Sequence, residues 1–271
     1  MIYPLKEIQE VKSADYFNHP VFKASDVFIH QSIWKKNRYG EEYASENVIS
    51  RLRPDCQIIA MPNVYHLPKC LFPQYYEAQE LRYDNATYFF RDRIIDEGIQ
   101  QGKSLKQIAE QYYEYHFDKM SIKEGYKNFL ETLRKREQEW DVKVADFIDE
   151  NIKEQMIFFE MNHPTNFLIK HYAINILNVL LCGKPYSVEE LKNYKMDTYQ
   201  MPLLTEVQKA LGLKYSTIDQ EIRTTGTKLR RIPMTIEEYV KEYFASVWIC
   251  GDFEEAINKK VQRRILCDLG A

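Results

Sequence analysis

No apolar run in this sequence reaches the roughly 18 residues that a membrane span needs. The nearest, Phe167 to Cys182, is interrupted by Lys170, His171, Asn175 and Asn178. The amino terminus, Met1-Ile-Tyr-Pro-Leu-Lys-Glu, lacks the charged-then-apolar layout of a signal peptide, so a cytoplasmic protein with no membrane span is expected. The net charge of -3 gives no global argument for a nucleic-acid or membrane partner. The five cysteines, Cys56, Cys70, Cys182, Cys250 and Cys267, form no CxxC pair and no zinc-ligand spacing, which indicates reduced thiols and no metal. Also missing are G-x-G-x-x-G, a Walker loop, a G-x-S-x-G elbow and H-E-x-x-H, which removes the common nucleotide, hydrolase and metalloprotease readings. There is no internal repeat and no low-complexity tract.

What is present is aromatic and patterned. Aromatic residues make up 14 % of the 271 residues, and 20 of them are tyrosines, as suits packed rings with a polar tip. A chain of this length can bury one sizeable core, or a small α/β part joined to a helical one. The stretch from Asp26 to Pro73 supplies the α/β part. Val27-Phe28-Ile29 and Gln57 to Met61 read as buried strands, and between them Ser45 is placed to cap a helix with Val48, Ile49 and Leu52 on one face. Strand, loop, helix, strand normally makes a parallel pair. Ligands of open parallel sheets bind beyond the carboxyl ends of the strands, which here carry His30, Gln31 and Trp34 on one side and Asn63, Tyr65 and His66 on the other.

Ile2-Tyr3, cut short by Pro4, opens the chain. The Asp26 unit alone gives too few strands for a stable layer, so either something precedes Met1 or the sheet is very small.

Beyond Pro73 the period becomes helical. Tyr88, Phe89, Ile94, Ile95 and Ile99 mark a first helix, and Ser104-Leu-Lys-Gln107 and Ser121-Ile-Lys-Glu124 are capping boxes for two more. Asp141 is placed to start another, through Val144, Phe147, Ile148, Ile152 and Met156. Asn162-His163-Pro164-Thr165 breaks the run, and a helix is predicted from Pro164 to about Leu181, ended by Gly183 and Pro185. Ser187, Thr205 and Thr235 open three further helices, the last bending or breaking near Gly251. The predicted class is therefore α/β, predominantly helical, with a small parallel sheet near the amino terminus. Its division is residues 1–80 for the α/β part and 81–271 for the helical part packed on it as one compact unit.

Ala24-Ser-Asp-Val-Phe-Ile-His-Gln31, Tyr43-Ala-Ser45, Ile58-Ile-Ala-Met-Pro-Asn63, Phe72-Pro73 and Asn162-His-Pro-Thr165, in this order and spacing, resemble the WcbI family of polysaccharide-biosynthesis proteins. The resemblance implies a deep cleft for coenzyme A or acetyl-CoA, and O-acetylation of a sugar in a capsular or other surface polysaccharide. A polysaccharide or sugar nucleotide is then the acceptor. Family members usually begin with a strand ending in an Asn-Cys-Gln type motif. This chain starts after the point where that motif is expected, so the start is missing or that part of the site is lost.

With a thioester donor implied, His163 is the candidate base, because an imidazole titrating near neutrality suits removal of a hydroxyl proton. Its expected place at a helix start, beside Asn162, would also offer backbone N–H groups to an oxyanion or a phosphate. Gln31 and Asn63 are expected to position the acyl group or acceptor. For the cofactor's phosphates and adenine, the candidates are the loop residues Trp34, Lys35, Arg38 and Tyr39, with His30, His66 and Asn162. The bland alternatives are a capping histidine, satisfied strand-end side chains and a solvated charged loop. His116 and Asp118, close in sequence, read as a helix end packed on aromatics.

A second reading comes from another class. Thr205 to Gly212 and Tyr215 to Ile222 have the spacing of a helix-turn-helix. Asp219 and Glu221 in the would-be recognition helix repel phosphates, so no nucleic-acid partner is expected and a surface helical hairpin is the simpler view. A non-catalytic scaffold in glycan assembly is the third alternative.

Overall fold

The structure, a computed structural model, describes residues 19–33, 40–64, 67–76, 91–161, 163–182, 201–215 and 235–244. Two compact units divide the chain. The first comprises Met1–Asn63, Leu133–Asp146 and Lys170–Leu191, and the second Val64–Thr132, Phe147–Ile169 and Lys192–Ala271. The class is as predicted: mostly helical, with a small parallel sheet near the amino terminus.

In the first unit, β1 (Val27–Gln31) pairs in parallel with β2 (Gln57–Met61), with His30 opposite Ala60 and Gln31 opposite Met61. Short helices α1 (Pro20–Lys23) and α2 (Ser45–Ile49) flank the strands. Phe22, Val48, Leu52 and Cys56 form their core, with Phe28 and Ile58 packed against it. The ring of Phe28 meets Phe22 edge to face at 5.7 Å. Strand β1 was expected to be buried, yet Val27 is 38 % and Ile29 42 % exposed. The apolar run is continuous in sequence, but the pleat turns only alternate residues onto the core, and the core covers one face.

Two sequence-assigned caps do different work here. Ala44, not Ser45, is the N-cap of α2, and the Ser45 Oγ instead accepts from the Ile33 N–H at 2.8 Å while Ser45 N donates to Ile33 O at 2.9 Å. Asp141 does not start a helix. Its carboxylate accepts from Ala60 N at 2.8 Å, and its own N–H donates back to Ala60 O at 3.0 Å, so it extends the edge of β2. The cap that Asp141 was expected to provide comes from buried Glu137, whose Oε1 accepts from Val144 N at 2.5 Å and Ala145 N at 2.9 Å.

The second unit is organised by a buried aspartate. β3 (Tyr75–Tyr76) and β4 (Arg91–Asp92) pair antiparallel, and Asp92 then caps α3 (Arg93–Gln100), accepting from Ile94 N at 2.9 Å. The same carboxylate accepts from the Tyr112 hydroxyl of α4 (Leu105–Glu114). Asp92 N donates to the Tyr243 hydroxyl at 2.7 Å, which ties in α9 (Ile236–Tyr243). Tyr75 and Tyr239 share a hydroxyl contact of 2.9 Å beside it. Buried Arg91 and Asp96 form a two-pronged pair at 2.8 and 2.6 Å, which satisfies both charges in the interior. The tyrosine excess therefore serves as an apolar core whose polar tips hold one carboxylate.

Ser104 and Thr235 make the capping boxes that the sequence announces. Ser121 does not: α5 (Lys119–Arg136) starts two residues earlier, and Asp118 Oδ2 accepts from Ser121 N at 3.0 Å. The remaining helices are α6 (Ala145–Asn151), α7 (Asn166–Leu181) and α8 (Thr205–Leu211), the last closed by Gly212 at φ 68°. No helix among the described residues is long and apolar enough to cross a membrane.

Candidate active site

The segment Met156 to Thr165 crosses back on itself in the second unit. Phe158 and Pro164 form an antiparallel bridge, Phe159 N donates to His163 O at 2.9 Å, and Thr165 N donates to Ile157 O at 2.8 Å. Proline fits here because its missing N–H is on the side that the bridge does not use. The Thr165 hydroxyl donates to Met156 O at 2.8 Å and so staples the base of the turn. Helix α7 begins only at Asn166, so His163 stands in the tight turn and not at the helix start that the Pro164 rule predicted. The helix start with its outward N–H groups therefore lies three residues beyond His163.

At the tip of this turn the Nδ1 of His163 meets the carboxylate of Glu160, three residues earlier. The pair is lopsided: the Glu160 side chain is 3 % exposed and that of His163 46 %. The buried carboxylate accepts a hydrogen bond from Nδ1–H and raises the histidine's proton affinity above its ordinary value, against the opposing effect of partial burial. With Nδ1 engaged, Nε2 is the nitrogen left to exchange protons on the open side. The second oxygen of Glu160, Oε2, is buried with no hydrogen-bond partner among the described residues. Native structures rarely leave such an atom unsatisfied, and orphans mark places where a water or a substrate group belongs.

Sequence inspection missed Glu160. The signal was available, because a glutamate three positions before a histidine and proline has the spacing of a tight turn. A Glu at i-3 is so common that nothing distinguished this one until burial was known.

The first unit holds a second cluster. Gln31 lies exposed at the carboxyl end of β1, and Asn63 stands half-buried two residues past the end of β2, so the parallel pair gathers them at one end as expected. His30 is half-buried, stacked on Phe28 at 5.3 Å with 10° between ring planes, and its Nδ1 lies 3.3 Å from the Ser45 hydroxyl. Burial lowers its proton affinity, partly offset by the Gln31 backbone and the charge of Asp141, which leaves a neutral ring at physiological pH. His30 thus reads as a strand-end side chain held by its neighbours.

The remaining candidates, Trp34, Lys35, Arg38, Tyr39, His66 and Asn162, lie outside the described residues. So does the second helix of the helix-turn-helix reading beyond Tyr215. Tyr115 and Phe117 do pack ring on ring, at 5.0 Å, around the helix end that precedes His116. Among the described residues no group of three histidine, cysteine or acidic side chains could hold a metal ion, and Cys56, Cys70 and Cys182 are free thiols.

No functionally curated protein matches the chain in sequence. A solved structure of WcbI, described as a novel polysaccharide biosynthesis enzyme in its native form without a disulfide bond between coenzyme A and a cysteine, superposes with a TM-score of 0.66. It shares 17 % identity and covers 97 % of this chain and 87 % of its own, so the likeness is one of fold. The sequence profile of polysaccharide biosynthesis enzyme WcbI matches residues 3–183, more than half of the chain. The chain therefore belongs to the WcbI family of polysaccharide biosynthesis enzymes.

Proposed function

We propose that this protein binds coenzyme A thioesters and transfers an acyl group, acetyl in the simplest case, to a sugar hydroxyl of a surface polysaccharide. The observation that carries the reading is the Glu160–His163 pair. A buried carboxylate holds the imidazole in one orientation and strengthens it as a base, while Nε2 stays open to a reactant. Bound coenzyme A would supply the activated acyl group as a thioester.

The chain's own residues would do the rest. His163 Nε2 would take the proton of the acceptor hydroxyl as that oxygen becomes the nucleophile and would return it to the thiol that leaves when the thioester bond breaks, while Glu160 stabilises the intervening imidazolium without itself taking the proton. Oε2 of Glu160, buried and without a hydrogen-bond partner among the described residues, is a place for an ordered water. Gln31 and Asn63 are proposed to position acyl group or acceptor, since an amide both donates and accepts. The described residues fit part of what the cofactor needs: a proton acceptor is in place, and the expected phosphate-binding side chains Trp34, Lys35, Arg38, Tyr39, His66 and Asn162 fall outside them.

Excess coenzyme A should raise the melting temperature, since ligand at about 100 times Kd stabilises by about 2.7 kcal/mol. His163→Ala should keep that rise and lose about 10²- to 10⁴-fold in acyl transfer, measured as thiol release in the presence of an acceptor glycan. Unchanged turnover in this variant would remove His163 from the mechanism. No thermal response to coenzyme A would remove the cofactor assignment.

A further inference from the structure

The second unit also carries an open groove of about 450 Å³, lined by α5 and by the turn at Leu67–Leu71. Ser121, Gly125, Asn128 and Thr132 line it from α5. Their spacings of four, three and four put them on one helix face, over a length of about 16 Å. Gly125 lets the two walls meet: a Cβ there would stand 3.0 Å from the Cβ of Cys70. Lys69 and the rings of Tyr75 and Phe129 complete the lining that concerns recognition.

The chemistry of this surface is narrow. Among the described residues no carboxylate lines the groove, so they offer a hard metal ion no anionic ligand, and Lys69 is the only cation in the lining, too few for a nucleic-acid backbone. Burial pushes the Cys70 thiol up to about 12, so it is no nucleophile. Ser121 Oγ donates to Asp118 at 2.6 Å and keeps its lone pairs for a ligand. Asn128 and Thr132 are exposed and make no side-chain hydrogen bond among the described residues. Uncharged side chains that both donate and accept, set beside ring edges, suit a ligand rich in hydroxyls.

We propose that this groove binds the acceptor glycan. The inference rests on the acyl-transfer reading for its role, and family membership in polysaccharide biosynthesis supports the ligand class. A short packing chain joins groove and catalytic turn. Phe129 meets Phe158 edge to face at 6.0 Å, and Phe158 bridges Pro164, the neighbour of His163.

The test uses the full chain with two probes, a neutral tetrasaccharide of glucose and a tetrasaccharide of galacturonate, followed by calorimetry and by amide chemical shifts. Binding of at least one is expected, weakened about tenfold or more by Asn128→Trp, which fills the groove from an exposed position. The coenzyme A melting shift should be unchanged in that variant, which shows that it folds. Binding that survives Asn128→Trp, or no binding of either probe to a chain that coenzyme A still stabilises, overturns the groove assignment. Binding lost in Asn128→Trp while its amide spectrum stays that of the folded native protein, in a protein that coenzyme A does not stabilise, keeps the groove and sinks the acyl-transfer reading instead.

Discussion

Replacing Glu160 by Gln tests the most specific feature of the site, because the change removes a charge and little volume. In the native turn the buried carboxylate raises the proton affinity of His163 above the ordinary value of 6.5. A hydrogen bond between two ionised partners contributes about 1.5–3 kcal/mol. The imidazole is 46 % exposed, so water already competes for it and about 1 kcal/mol is the fitting figure.

The sign follows from linkage. A histidine whose folded proton affinity is raised adds stability that is fully present below its unfolded value and is lost as pH rises through its folded value. The deficit of Glu160→Gln should therefore be largest on the acid side of about pH 6.5 and shrink above it. At alkaline pH the sign can reverse, because Gln spares the cost of burying a carboxylate beside a neutral ring. In melting curves from about pH 5.5 to about pH 8.5, a deficit of 1 kcal/mol reads as about 2–4 °C at the acid end. Proton NMR of the His163 ring supplies the direct check: its midpoint should fall towards the unperturbed value in the variant. An identical midpoint in both proteins would refute the claim that Glu160 holds the imidazole.

Asp92 carries a second pH signature. Burial pushes its carboxyl up from 3.8 to about 7, so the folded state binds more protons than the unfolded state between those values and loses stability as pH rises through them. Asp92→Asn, which keeps an oxygen for the cap, should gain stability relative to the native protein across that window, and parallel melting curves for the two would contradict this. Glu137→Ala strips α6 of a buried cap and leaves the Val144 and Ala145 N–H groups unpaired, at an expected cost of about 2 kcal/mol. Chemical denaturation measures it, and a loss below about 0.5 kcal/mol would mean that water reaches those groups.

The sequence-level signals that held were those acting within a few residues. Ser104 and Thr235 cap as written because a serine or threonine followed three places later by Gln or Glu satisfies two backbone donors with no outside partner. Ser121 and Ser45 failed as caps because a competitor won: Asp118 is charged and better placed, and Ser45 is drawn to the Ile33 backbone across a loop. Asp141 failed for a long-range reason, since its best partner, Ala60, is 81 residues away and no local pattern encodes it.

The same division applies to function. Residue order alone determined the helix-rich class and the parallel strand pair with Gln31 and Asn63 at its carboxyl end, because hydrophobic period and turn chemistry are local. Only the tertiary structure decided that Glu160 is buried against His163, that Asp92 sits among tyrosines from three distant segments, and that an open groove runs along α5. Burial sets how strongly a carboxylate acts on its neighbours, and burial depends on which distant side chains exclude water.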